Sequence, residues 1–314
     1  MCNTIRRSGL NSTFLLIEDA RSGGIGHKFT RVVLSFTQAL LTHRRYKSTF
    51  TPTKPKLLVM MHSIYSTVMT NCFMQDVISP DDFPILNYTI CNRCTRGSKK
   101  IYDLFSIFGN QTVICQFCDM NKAYLFNQTS LQTFREVGFP STITKEWDYE
   151  RYAYRLFLNP IPEVGVQITQ FRWMHFRNKY VIGVQVRCGG QLADKPEPYI
   201  GFDNNTLPGL AVQLKEIAKT QQTNGLPILF FITSDSTYAY EYLAKEIKPS
   251  YDVIQSTTYK RGHTTIGSVT TEVLRRSVMD VFLLAECDYL IISKRRSFGF
   301  LGCAMSKSRQ CLVV

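Results

Sequence analysis

From Tyr180 to the end of the chain, short apolar runs alternate with amphipathic stretches, and no other feature constrains the fold as strongly. Strands are expected over 180–187, 227–232, 251–255, 288–293 and 310–314, with helices between them over 207–221, 238–247, 270–286 and 298–306. A run such as Tyr180-Val181-Ile182-Gly183-Val184 lacks the in–out alternation of a half-exposed strand, so it reads as a strand buried on both faces. Strict strand–helix alternation then implies an α/β fold with a parallel sheet covered on both sides. In such sheets ligands bind outside the carboxyl ends of the strands.

The preceding residues are less regular. A strand over 12–17 leads into Arg21-Ser22-Gly23-Gly24-Ile25-Gly26-His27-Lys28, and a helix follows over 29–41 with Val32, Val33, Phe36, Ala39 and Leu40 at helical spacing. Strand, glycine-rich loop and helix is a layout that aims backbone N–H groups at an anion, although the full G-x-G-x-x-G fingerprint is absent and a plain tight turn fits equally. A second strand is expected over 56–61, and residues 70–130 are rich in cysteine and aromatics. Helices over 147–158 and 170–178, with Pro160 and Pro162 between them, close this half. The expected domains are 1–178, a Rossmann-like half with the glycine loop and a cysteine-rich insertion, and 179–314.

Cysteine spacing leaves two readings open. Cys91-x-x-Cys94 and Cys115-x-x-Cys118 suit a tetrahedral zinc site or two disulfides. Five Asn-x-Ser/Thr sequons, at Asn11, Asn87, Asn110, Asn127 and Asn204, tilt the choice towards disulfides and towards a secretory, Golgi-type location. Such a location needs an anchor or signal that this sequence does not display, and no run reaches the ~18 apolar residues of a membrane span. Cys2, Cys72, Cys188, Cys287, Cys303 and Cys311 sit in apolar contexts and read as core fillers. The formal net charge of +13 favours an anionic partner, but the basic pairs are scattered, which fits a basic surface better than a nucleic-acid stripe.

The carboxyl-end rule gathers the candidate site. One strand end carries Gln185, Arg187, Gly189 and Gly190; a second carries Ser234, Asp235 and Ser236; a third carries Ser293, with Ser297 opening the next helix. Asp280 lies on the long helix before that third strand. An arginine at a strand mouth can hold a diphosphate through parallel N–H donors, and glycines after it let the chain turn away without obstructing the phosphates. Each residue also has a local explanation: Arg187 pairing with Asp235, Asp235 or Ser236 capping a helix, Asp280 pairing with Arg276 four residues earlier, Gln185 bonding to backbone.

These motifs, in this order, resemble the α1,2-/α1,6-/protein-O-fucosyltransferase superfamily. The resemblance lies in the Gln185-x-Arg187 strand, the Ser234-Asp235 strand end, the helix–strand from Asp280 through Leu290, the Ser293…Ser297-Phe298-Gly299 loop and the Gly23-Gly24-Ile25-Gly26-His27 loop. The Gln-x-Arg form is most similar to plant xyloglucan-type fucosyltransferases. The resemblance implies a GT-B-like fold of two Rossmann-like halves and transfer of fucose from GDP-fucose to a glycan or glycoprotein. It also implies inversion at the sugar and no metal or other required cofactor. The chain contains no Asp-x-Asp motif. By motif, Arg187 would stabilise the departing diphosphate, Gln185 would stand near the nucleotide, Asp235 would join the donor site, and Asp280 would accept from guanine or ribose. Ser297 and Phe298 would line the phosphate pocket, and Gly23, Gly24, Gly26 and His27 would approach from the other half. His27 and Cys188-Gly189-Gly190 depart from the superfamily's usual residues. Asp194, Glu272 and His263 are the candidates for a catalytic base. The expected partners are the nucleotide-sugar donor and the acceptor, with no nucleic acid and membrane contact only through an anchor. The competing readings are an inactive nucleotide-sugar-binding relative and a zinc-ribbon protein that binds nucleic acid.

Overall fold

The computed structural model describes residues 14–18, 45–49, 88–91, 112–116, 132, 135–136, 140–143, 146–194, 197–222, 225–262, 270–294, 297–308 and 310–314. The chain forms two compact units that part between Asn159 and Pro160.

The first unit contains a four-stranded parallel sheet: β1 (Phe14–Glu18), β2 (Arg45–Thr49), β3 (Tyr88–Cys91) and β4 (Thr112–Gln116), in the order β2-β1-β4-β3. The strand expected over 12–17 is β1. Sequence reasoning did not single out β2, which is polar throughout (Arg-Tyr-Lys-Ser-Thr). Cys91 and Cys115 occupy adjacent register positions on β3 and β4, neighbouring parallel strands of this sheet. Helix α1 (Glu146–Phe157) buries Tyr149, Ala153 and Tyr154 on one stripe. The expected helix over 29–41 and strand over 56–61 lie outside the described residues.

The second unit carries the expected alternation. Its strands are β5 (Tyr180–Val186), β8 (Ile228–Ser234), β9 (Asp252–Ile254), β10 (Tyr289–Ile292) and β11 (Cys311–Val313), with a short antiparallel pair, β6 (Gly189–Gly190) and β7 (Glu197–Ile200), between the first two. Strands β5, β8, β9, β10 and β11 form one parallel sheet in the order β11-β10-β5-β8-β9. The chain therefore builds outward from β5 to β8 and β9, then crosses back to place β10 on the other side of β5. This reversal leaves a crevice at the carboxyl ends of β5 and β10, the position where open α/β sheets take ligands.

Helices α3 (Leu207–Gln221) and α4 (Thr237–Ile247) cover one face, packing Leu210, Leu214, Leu243 and Ile247 against Ile182, Val184, Phe230 and Ile232. The other face carries α2 (Pro162–His175), α5 (Thr271–Ala285) and α6 (Ser297–Met305). The sequence reading put residues 170–178 in the first half. Here α2 packs on the second unit, where Phe171 and the following Phe176 meet Phe231 of β8 edge-on with ring centroids 5.7 and 5.6 Å apart. Local chemistry sets the helix starts: Pro162 opens α2, Ser236 caps α4 by accepting from Ala239 N at 3.1 Å, and Thr270 caps α5 by accepting from Val273 N.

Helix α5 is buried along most of its length and carries an ion pair with it. Arg276 Nε stands 2.9 Å from both carboxylate oxygens of Asp280, and Arg276 Nη1 donates to Tyr259 O at 3.2 Å. Burial raises the Asp280 carboxyl above its ordinary value, while the Arg276 charge pulls the other way. Removing one member of such a pair leaves a buried charge without its counterion. Asp280→Ala is therefore expected to cost about 3–5 kcal/mol in urea unfolding, whereas Arg276→Met with Asp280→Leu should come near neutral. A second expectation concerns Gly183 on β5. A Cβ there would meet Cys287 Sγ and Leu290 Cδ2, each at 2.8 Å. Gly183→Ala should cost about 1–3 kcal/mol by the same measurement, and Cys287→Ala in the same chain should return part of it.

Candidate active site

Strand β5 is apolar until Gln185, and the chain must leave the sheet once Val186 is placed. It does so through Arg187 and Cys188 into Gly189 (φ 61°) and Gly190 (φ 52°), left-handed positions that favour glycine. The turn is closed from the other arm of the hairpin: Phe202 N donates to Arg187 O at 3.0 Å and Gly201 N to Cys188 O at 2.5 Å. The sequence reading did not foresee this hairpin, because two glycines carry no strand propensity.

Arg187 is fixed at both ends. Its backbone N–H donates to Ser293 Oγ at 2.9 Å, and that hydroxyl donates to Gln185 O at 2.9 Å, so the ends of β5 and β10 are tied across the crevice. Its guanidinium Nη1 lies 3.1 Å from Asp235 Oδ2, with the two side chains 17% and 12% exposed. The cation is thus partly accessible and is not sealed in the core. Asp235 also accepts from the backbone: Cys188 N donates to Oδ1 at 2.8 Å and Gly189 N to Oδ2 at 3.0 Å.

The remaining candidates divide clearly. Gln185 is buried at the crevice, and its Oε1 accepts from Ser293 N at 3.2 Å, the backbone role that its local reading allowed. Asp280 is expected to accept from guanine or ribose, but its carboxylate is engaged by Arg276 on the same helix. Ser236 is the cap of α4. Asp194 is a second cap for that helix: Thr237 N donates to its Oδ1 at 2.7 Å, Thr237 Oγ1 to its Oδ2 at 2.9 Å, and Arg261 Nη1 stands 3.5 Å away. Glu272 is exposed in the first turn of α5. Ser297 begins α6, as expected, and Phe298 beside it is half-buried. Gly23, Gly24, Gly26, His27, His263, Cys94 and Cys118 lie outside the described residues.

Two groups went unnoticed in the sequence. Thr233, beside Gln185 in register, is buried with its Oγ1 unpartnered at the carboxyl end of β8. Arg261, in the segment after β9, donates to Thr237 Oγ1 at 3.0 Å and to Gln255 Oε1 at 2.5 Å, so the segments after β8 and β9 meet at the start of α4. A threonine at the end of an apolar run and an arginine in a polar loop give no sequence signal of such a meeting.

The cysteines need one correction. Cys303 of α6 and Cys311 of β11, expected as core fillers, form a disulfide with Cα atoms 6.1 Å apart. Cys188 and Cys287 are free and buried, as expected. The Cys188 thiol is pushed up to about 12, first by burial and then by the neighbouring Asp235 charge, so it stays neutral. Among the described residues, no three His, Cys, Asp or Glu side chains cluster to hold a metal ion.

No family model matches the sequence, and no curated protein matches it. Solved structures do share its fold. A mutant of Arabidopsis thaliana FUT1 in complex with GDP aligns with a TM-score of 0.59 at 11% identity, over 98% of this chain and 72% of that one. NodZ alpha-1,6-fucosyltransferase co-crystallised with GDP, an enzyme known from Bradyrhizobium, aligns at 0.56 and 14% identity, over 95% of this chain and 93% of that one. POFUT1 in complex with GDP-fucose aligns at 0.51 and 12% identity, over 98% of each chain. Two parallel-sheet units, with a strand-order reversal at the centre of the second, give this chain the GT-B-type fold of those fucosyltransferases.

Proposed function

We propose that this chain is a glycosyltransferase that moves fucose from GDP-fucose to a glycan or glycoprotein acceptor. One observation carries the reading: a partly exposed guanidinium, Arg187, stands at the carboxyl end of the central strand, at the strand-order reversal. The fold is one whose solved examples hold GDP or GDP-fucose.

The chemistry asks for that cation. As the bond between the fucose anomeric carbon and the pyrophosphate oxygen breaks, its electron pair leaves with GDP and negative charge grows on the diphosphate. A fixed guanidinium aimed there stabilises the departing group more than the ground state, which is what accelerates the step. Attack by an acceptor hydroxyl from the opposite side inverts the anomeric carbon, and the hydroxyl proton passes to a base. The N-terminal turn of α6, from Ser297 and Phe298, supplies backbone N–H groups beside the same crevice. Gln185 completes the crevice wall, and the Gly23-Gly24-Ile25-Gly26-His27 loop is proposed as a further donor contact on its resemblance to the superfamily's glycine loop. With the leaving charge taken by Arg187, the reaction runs without a metal ion, in keeping with the lack of an Asp-x-Asp motif. The Cys303–Cys311 disulfide and the exposed sequon at Asn204 support a secretory, Golgi-type compartment.

The test has two parts. GDP should raise the thermal midpoint of the protein, and GDP-fucose offered with a glycan panel should release GDP only when an acceptor is present. Arg187→Ala should lower transfer by about 10²–10³-fold, and Arg187→Lys should recover only part of it because the planar fork is lost. Full activity in Arg187→Ala would refute the site. Stabilisation by GDP without transfer to any acceptor would mark a nucleotide-sugar-binding relative, and stabilisation by zinc but not by GDP would favour the zinc-ribbon reading.

A further inference from the structure

Asp235 is expected from the sequence to join the donor site, yet its carboxylate is committed inside the protein. Oδ2 takes Arg187 Nη1 at 3.1 Å and Gly189 N at 3.0 Å, and Oδ1 takes Cys188 N at 2.8 Å. Three consecutive residues after β5 therefore hang from one side chain that belongs to the next strand of the sheet. Asp235 is itself held: its carbonyl accepts from Asp194 N at 3.0 Å, and Ser236 behind it caps α4. Asp235 directly precedes the N-cap of that helix, and the two backbone donors share its charge.

We propose that Asp235 is a positioning residue for Arg187, setting where the guanidinium stands while making no contact of its own with the nucleotide. This rests on the donor reading above. A free arginine side chain carries about 2 kcal/mol of rotamer entropy, and a fixed carboxylate removes part of it before any ligand arrives. The carboxylate also opposes an incoming anion by its charge. Its negative charge is already shared with Cys188 N and Gly189 N, so the ordering of the guanidinium dominates. The consequence is selective: whatever part of a ligand depends on Arg187 depends on Asp235, and the rest does not.

The experiment is titration calorimetry on the full chain with GDP and, by competition, with guanosine, which lacks the diphosphate. Four proteins are compared: the unaltered chain, Asp235→Asn, Arg187→Ala and the double variant. Asp235→Asn should weaken GDP about tenfold, guanosine should change less than about twofold, and the double variant should bind GDP no more weakly than Arg187→Ala alone. Asp235→Glu, which keeps the charge on a longer arm, should restore part of the GDP affinity and serves as the test should Asp235→Asn fail to fold. Equal weakening of GDP and guanosine, or losses that add in the double variant, would overturn the proposal. If the unaltered chain binds GDP and Asp235→Asn binds it equally well, the positioning role alone falls. If the unaltered chain does not bind GDP, the donor reading falls and takes this proposal with it.

Discussion

A parallel sheet covered on both faces has room for polar side chains only at its ends, and this constraint organises the second unit. Strand β5 is flanked by β8 and β10 and buried from Val181 to Val186. Its first polar side chain, Gln185, comes only at the carboxyl end, beside the place where the strand order reverses. There the backbone ladder stops, and the unmet N–H and C=O groups need other partners. Ser293 provides them from β10: its hydroxyl bridges Gln185 O and Arg187 N, and its own N–H is met by Gln185. The crevice lies where the chain leaves β5 for α3 on one face and β10 for α6 on the other, and these bonds hold the two strand ends together beneath it.

Three arginine–aspartate pairs surround that edge, and burial separates their functions. The Arg276–Asp280 pair lies in the interior, with side chains 7% and 12% exposed, and joins positions one helical turn apart. Taking such a pair out of water costs about as much as the attraction returns, so its contribution is to hold α5 in place rather than to add stability. The Arg261–Asp194 pair, 21% and 41% exposed, ties the segment after β9 to the start of α4. Screening by solvent keeps such a contact weak. Arg187–Asp235 lies between these extremes: covered enough for the charge to act at short range, open enough for an anion to reach it. Arg187 and Arg261 are nearly equally exposed, at 17% and 21%, so what sets Arg187 apart is its place at the strand-order reversal, the basis of the role proposed for it.

How much of this was legible in the sequence follows the range of the interaction. The five strands of the second unit's parallel sheet and the four helices between them could be read to within a few residues, because buried parallel strands and amphipathic helices write their period locally. The Arg276–Asp280 pair was also readable as an alternative, since positions four apart on a helix must meet. The joint grip of Asp235 on Cys188 N and Gly189 N was not, because it joins residues 47 and 46 positions apart and depends on which strands become neighbours. Nor could the sequence show that α2 packs on the second unit. Its exposed Val166, Trp173 and Met174 alternate with buried Val164, Ile168 and Phe171, so apolar residues run around the helix and blur the stripe that would assign it.

The residues after Arg187 can now be explained as a set. The chain needs two N–H groups turned towards Asp235, then a reversal into the hairpin. Gly189 meets both demands with its positive φ. The side chain at position 188 is wholly buried, at the edge of the core that holds Val186 and Leu207 and within reach of the Ser234 and Ser236 hydroxyls. A charged residue there would have to be buried beside a guanidinium and a carboxylate that already pair with each other, at a desolvation cost of several kcal/mol. Cysteine fits: it is small, and its thiol, pushed up to about 12 by burial and by Asp235, stays uncharged beside the guanidinium. A neutral side chain at 188 therefore leaves the Arg187–Asp235 pair as it is, and a substitution there acts on that pair chiefly by moving the backbone that carries it.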